Sequence, residues 1–230
     1  GEDEMILGSQ VLKVGMPAYT YYLIKTAGVN PMTGEQLYWT YDTDEKGNII
    51  NERVTNNSAE ANNTKYYMGS REPVLQGSFG SNFQLGQFDL SFLTTFSIGG
   101  SIYNGVYAGA MEAQYIGDTW HRHSLRAWQQ PGDVTDVPKL LVGSGRPTNT
   151  DRYLIDASYF SIKSVQFGWT MPSRWTEKAN IKSIRLFVVG DNLAMFTHLD
   201  GMDPQYSFSG GQSYTYLPTR SVSVGIDINF

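Results

Sequence analysis

The last ten residues, Ser221–Phe230, divide by parity. Val222, Val224, Ile226, Ile228 and Phe230 fall on one side; Ser221, Ser223, Gly225, Asp227 and Asn229 fall on the other. Successive side chains of a strand point to opposite faces, so this spacing predicts a strand with one apolar and one polar face. Two architectures use such a strand. One is the edge of a sandwich; the other crosses a membrane at a tilt, for which roughly 9–11 residues suffice. Phe88, Leu90, Phe92, Phe96 and Ile98 repeat the pattern against Asp89, Ser91, Thr95 and Ser97. Val165, Phe167, Trp169 and Met171 repeat it against Ser164, Gln166, Gly168 and Thr170. Ile184, Leu186 and Val188 open another run around Arg185, with Phe187 and Val189 interrupting its polar side. Gly77–Gln84 and Tyr19–Lys25 are further candidate strands. Composition agrees: 24 glycines, 13% aromatic and only 17% charged residues suit strands and tight turns better than a helical bundle.

The connections are unequal. Leu85-Gly86-Gln87 reads as a tight turn and Pro172–Lys182 as a compact link, whereas 27–76, 99–158 and 193–219 are long. Alternating long and short connections are what an up-and-down barrel predicts. A compact domain rarely holds so much irregular chain. No apolar run approaches the length of a membrane helix, which leaves membrane strands untouched. The opening Gly1-Glu2-Asp3-Glu4 is no signal peptide, so the chain is expected to be mature or to begin inside a longer protein. A net charge of -5 without a basic stripe argues against nucleic acid as a partner. With no cysteine there are no disulfides and no thiolate metal sites.

Catalytic signals are absent. His121 and His123, with Asp118 or Glu112, fit no recognised metal spacing, and Asp133, Asp136, Asp200 and Asp203 fit no calcium loop. Gly143-Ser144-Gly145 lacks the strand–turn–helix setting of a nucleophile elbow. The glycines at 99, 100, 105 and 109 lack the lysine of a phosphate loop. The expectation is a non-enzymatic chain with no catalytic residue, metal or cofactor. Trp39, Tyr41, Trp120, Trp128, Tyr206, Tyr214 and Tyr216 are the candidate ligand- or partner-contacting groups, placed in loops. An aromatic face stacks on a sugar ring or a peptide side chain while nearby polar groups bind hydroxyls or amides. The competing role for each ring is to pin its own loop.

A family resemblance lies in the order of short motifs. Ala27-Gly28-Val29-Asn30-Pro31-Met32-Thr33-Gly34-Glu35 is followed by Leu37-Tyr38-Trp39, then by Gly69-Ser70-Arg71-Glu72-Pro73 and Gly77-Ser78-Phe79. Trp128, Pro131-Gly132-Asp133 and Thr135-Asp136-Val137-Pro138 come next, and Tyr159–Trp169 carries a further match. Gly190-Asp191-Asn192-Leu193 and Gly201-Met202-Asp203-Pro204-Gln205 complete the series. With these motifs the chain resembles the C-terminal barrel portion of SusC/RagA-type, TonB-linked outer-membrane proteins of the Bacteroidetes. The resemblance implies an all-β fold: the late strands of an antiparallel transmembrane β-barrel of about 22 strands, with long extracellular loops. Residues 1–230 would all belong to the C-terminal part of that barrel, with the plug domain and early strands absent. It implies import of glycans or peptides across the Gram-negative cell outer membrane. The implied partners are the rest of the barrel and its plug, a SusD-like surface lipoprotein, outer-membrane lipid, and TonB through the absent N-terminal region. The alternative is a soluble β-rich carbohydrate-binding module, with the same alternating faces set against a second sheet. A glycosidase would need acidic residues facing each other across a cleft.

Overall fold

The computed structural model describes residues 4–112, 117–141, 143, 146–177, 180–198, 203–205 and 218–230. In chain order its elements are β1 (Glu4–Leu7), β2 (Gln10–Lys13), β3 (Thr20–Leu23), β4 (Thr26–Val29), β5 (Gln36–Thr43) and β6 (Ile49–Thr55). Then follow α1 (Ser58–Asn62), β7 (Tyr66–Ser70), β8 (Leu75–Leu85), β9 (Phe88–Ile98), β10 (Ser101–Tyr103) and α2 (Gly105–Met111). The last are β11 (Leu154–Asp156), β12 (Tyr159–Thr170), α3 (Ser173–Thr176), β13 (Ser183–Thr197) and β14 (Ser221–Asn229). They fall into two units. The first takes in Gly1–Glu72, Gly100–Asp156 and Gln205–Thr215; the second takes in Pro73–Gly99, Ala157–Pro204 and Tyr216–Phe230.

The second unit is one antiparallel sheet in the order β14-β13-β12-β9-β8. Its five strands are those expected from parity. Leu85 pairs with Phe88 across the two-residue turn, where Gly86 sits at φ +60 as such hairpin turns require. The registers stack the apolar sides into rows. Ile226, Leu186, Trp169, Phe88 and Leu85 form one row; Val224, Val188, Phe167, Leu90 and Phe83 form the next. Phe88 and Phe167 stack at 5.8 Å within this face. Much of it is open to solvent: Val224 is 78% exposed and Phe83 56%. An apolar patch spanning five strands marks an interaction surface.

The other face explains why β13 breaks its own alternation. Arg185 makes a paired contact with Asp89 (3.0 and 2.6 Å) and reaches Asp227 at 3.4 Å. A side chain at Gly168 would collide with both Asp89 and Arg185, so the glycine makes room for the ion pair. Phe187 lies over Gly225 in the same way, and the Arg185 guanidinium is 5.0 Å from its ring. Hydrogen bonds from Arg185 hold the Asp89 carboxyl below the ordinary range. The stability this adds is fully present above the usual aspartate pKa and is lost as pH falls through the depressed value. Asp89→Asn should therefore flatten the acid limb of a pH–stability curve read by urea denaturation. An unchanged limb would show that the pair carries no such linkage.

The first unit contains what reads in the sequence as long loops. Segment 27–76 holds β5, β6, α1, β7 and most of β4, and 99–158 holds β10, α2 and β11. Asn57 caps α1 and Asn104 caps α2 with their side-chain oxygens, satisfying backbone donors that the short helices leave open. The sheets are β1-β2-β3-β7, β4-β5-β6 and β10-β11. One core cluster joins Ala108, Met111, Ala127, Val137 and Tyr153; another joins Ile24, Tyr38 and Ala61. Tyr19–Lys25 appears as β3 in this unit, not in the large sheet. The link over 172–182 includes α3.

These observations correct the expected architecture. The described strands make four open sheets, and none closes into a barrel. Among the described residues β8 pairs only with β9 and β14 only with β13, so the largest sheet keeps two free edges. Closure needs those edges to meet, and membrane barrels take about eight strands or more. The fold class is all-β, built of open antiparallel sheets, rather than the expected portion of a transmembrane β-barrel. The outer-membrane location and the transmembrane strands rested on that barrel, and the correction removes their basis. No described helix is long and apolar enough to cross a membrane, a fact that concerns helices alone.

A candidate ligand-binding face of the first unit

Strand β5 sets out the site. Gln36, Tyr38 and Thr40 are buried, while Leu37, Trp39 and Tyr41 alternate with them and stay half-exposed. The inward face is unusually polar and is satisfied locally. Gln36 donates to the Gly28 carbonyl at 2.7 Å, and the Thr40 and Thr64 hydroxyls lie 2.9 Å apart. This inversion turns the aromatic side of the strand outward.

Trp39 and Tyr41 join a continuous run of rings and cations. The Lys25 ammonium sits 5.4 Å from the Trp39 ring and 4.9 Å from that of Tyr66. Tyr66 meets Tyr41 edge-on at 4.9 Å, and the Tyr41 hydroxyl donates to the Lys65 carbonyl at 2.7 Å. Tyr22 and Tyr67 stack at 4.9 Å, with Lys65 over the first and Lys13 over the second. Lys13 donates to the Tyr67 hydroxyl (2.8 Å), which donates to Glu4 (2.8 Å). Burial first, then the neighbouring phenols, push Tyr22 up to about 12. Burial and the Glu52 carboxylate raise Tyr66 too. The phenols are therefore neutral donors at physiological pH. Rings held by cations at their faces and hydroxyls at their rims can stack on a ligand and bond its polar edge.

Of the seven aromatic residues expected to contact a ligand, two meet in this face. Trp128 has another task. Its indole Nε1–H donates to the Pro31 carbonyl at 2.9 Å, and a side chain at Gly34 would strike its ring. The same two segments are tied by Gly132 N–H to Pro31 (2.8 Å) and Lys139 N–H to Gly34 (2.9 Å). Trp128 thus locks one motif onto another. Trp120 is half-exposed, and no ring contact among the described residues joins it to Trp39. Tyr206, Tyr214 and Tyr216 lie outside the described residues, as do Asp200 and Ser144. His121 and His123 sit at a 3-10 turn with rings 4.3 Å apart, packed on Tyr107. No three potential ligands among the described residues form a metal cluster.

Tyr22, Tyr66, Tyr67 and Lys25 were missed by the sequence reading. The signal was present in the doublets Tyr21-Tyr22 and Tyr66-Tyr67. Two adjacent tyrosines in a strand must send their rings to opposite faces, so one of them looks outward. Tyr21 is fully buried and Tyr67 is 37% exposed.

With fold and face in place, comparison defines the class first. The fold is that of the RagAB-type transport proteins. The RagAB peptide transporter aligns with a TM-score of 0.84 at 21% identity, covering 100% of this chain and 25% of that one. The RagAB peptide importer in its closed-closed state gives 0.83 at 22% identity, again covering 100% of this chain and 25% of that one. In sequence the chain is similar to TonB-dependent receptor P3 of Formosa agariphila, 27% identical over 202 residues, covering 82% of this chain and 19% of the receptor. TonB-dependent receptor P39 of the same organism is 25% identical over 191 residues, covering 74% and 17%. The chain spans about a fifth of the length of these curated relatives. No protein-family model matches it.

The relatives named here are described as a transporter, an importer and receptors, in keeping with the expectation of a chain that is no enzyme. The resemblance read from the motifs is corrected in one respect. What is supported is an all-β relative of these proteins made of open sheets, not the C-terminal portion of a closed barrel. The importing barrel component expected from the sequence rested on that barrel and is corrected for the same reason.

Proposed function

We propose that the chain is a β-rich binding module of a RagAB-like uptake assembly, taking a glycan on the aromatic face centred on Trp39 and Tyr41. The observation that carries this reading is the arrangement of Lys25 against both Trp39 and Tyr66, with Tyr41 edge-on beside them. Rings fixed in this way meet a sugar at little entropic cost. A peptide is the second reading, favoured by the likeness to a protein described as a peptide transporter. A SusD-like surface lipoprotein would supply the opposing wall, and TonB would act elsewhere in the assembly.

The test is binding of maltoheptaose and of a tyrosine-containing heptapeptide, followed by calorimetry on the chain and on Trp39→Ala. Loss of one aromatic platform should weaken the bound class by about fivefold, since ring contacts contribute about 1 kcal/mol. Equal affinity of the variant and the parent chain would sink the reading. A preference for the heptapeptide would select the second one.

A further inference from the structure

The 3-10 turn Arg122–Arg126 hangs on two imidazoles. His121 is its N-cap, and a nitrogen does the capping: His121 Nδ1 accepts from the His123 backbone N–H at 3.2 Å. Only a neutral imidazole with its proton on Nε2 can accept there, because the imidazolium carries a proton on both nitrogens. The His123 ring stands 4.3 Å from that of His121, and its Nδ1 meets the Tyr107 hydroxyl at 2.9 Å. Tyr107, on α2, packs edge-on against both rings, at 4.8 and 5.7 Å. The backbone ties the same turn to α2, since His121 N–H donates to the Ala110 carbonyl at 2.9 Å.

The surroundings favour the neutral state. Burial first, then the His123, Arg122 and Arg126 charges, hold the His121 pKa below the ordinary histidine value. Arg152 and Arg126 act on the Tyr107 phenol, which burial keeps protonated. Of the acids, Asp136 is paired with Arg126 at 3.6 Å, and Asp118, three residues ahead of His121, is exposed and has a partner of its own.

We infer that His121 and His123 form an acid-sensitive clasp: neutral, they close the 3-10 turn onto α2, and a proton on His121 Nδ1 opens it. Protonation turns the capping acceptor into a donor that faces another donor, the His123 N–H. It also sets a cation beside a second imidazole and two arginines. A histidine whose pKa is lowered by folding adds stability that is whole above about 6.5 and is lost as pH falls through the lowered value. Opening therefore belongs to mildly acidic solution. The turn runs into Ala127, a member of the core cluster, and then into Trp128, so the clasp governs the connection between α2 and the tryptophan lock. This device stands apart from the aromatic face and does not rest on the binding-module reading.

The experiment is NMR on the full chain with isotope-labelled histidine, which leaves only three backbone amides in the spectrum, those of His121, His123 and His198. Solvent exchange of the His123 amide, divided by its intrinsic rate, is followed from about pH 7.5 to about pH 5, the span in which histidine titrates. Its protection should fall about fivefold or more in the parent chain, the scale of one lost cap. His121→Asn supplies a cap of the preferred kind with no proton to gain, so protection should stay flat across the range. His121→Ala, checked for folding by circular dichroism, should leave the amide unprotected at both ends. The His121 ring protons should titrate below the ordinary histidine value. Protection that does not change with pH in the parent chain would overturn the inference. So would a His121→Asn chain that loses protection as the parent does, because the acid effect would then lie elsewhere.

Discussion

Replacing Gly34 with alanine should unseat Trp128 and destabilise the first unit by about 2–4 kcal/mol, summing an overpacking cost and the strain of a side chain at positive φ. Gly34 has φ +69, and its missing side chain is the space the indole occupies. The new methyl group has no flexible neighbour to push aside, because the ring is pinned through Nε1 to the Pro31 carbonyl. Gly132→Ala provides the control. That residue has φ +100 but no atom within 4 Å of an added side chain, so only the backbone strain of about 1 kcal/mol applies. Urea denaturation read by indole fluorescence separates the two. If Gly34→Ala costs no more than Gly132→Ala, the lock between the two motifs is not holding the unit together.

A larger loss is expected at Glu112, at the end of α2. Its Oε2 pairs with Arg146 Nε at 2.8 Å and its Oε1 accepts from the Tyr153 hydroxyl at 2.8 Å. The Arg146 and Glu112 side chains are only 12% and 7% exposed, and Tyr153 is fully buried in the core cluster. Burial and the Glu112 charge together hold the Tyr153 phenol protonated far above its ordinary range. Glu112→Ala takes the carboxylate from a largely buried guanidinium and the acceptor from a buried phenol at once, and removing one member of a buried pair costs roughly 3–5 kcal/mol. Glu112→Gln keeps an acceptor for Tyr153 and should lose distinctly less. Thermal unfolding would rank the three chains, and equal melting temperatures for Glu112→Ala and the parent would refute the argument.

Strand parity was legible wherever one face is apolar over many residues. Val222 to Ile228, Phe88 to Ile98 and Phe167 to Trp169 were readable because what lies on the other side of these stretches, even where buried as at Ser97, is mostly polar or small. Phe187 looked like a flaw in β13 because the glycine beneath it, Gly225, belongs to a strand far along the chain. The first unit was not legible for a different reason. β5 buries Gln36 and Thr40 and exposes Trp39 and Tyr41, so its hydropathy runs opposite to its burial. β10 and β11 have three residues each, too few for any period to show. The transmembrane barrel was misjudged because parity reports which face is apolar and not what the edge strands pair with. Trp39 and Tyr41 were found by residue type alone. Lys25 and Tyr66, which give them their setting, needed the pairing of β3 with β7 and of β4 with β5 to be known.

The division into two units made of non-contiguous segments has a kinetic meaning. In the five-stranded sheet, β8 with β9 is a local hairpin, but β9 must find β12, with Phe96 meeting Phe160 roughly 60 residues later, a distance that costs loop-closure entropy. The intervening segment Gly100–Asp156 folds with the other unit, and its own ladder pairs Ser101 with Asp156. Once that short ladder forms, the ends of the intervening segment are already together and the remaining search is nearly local. The least conspicuous strands in the molecule, β10 and β11, thus shorten the loop that the β9–β12 seam has to close.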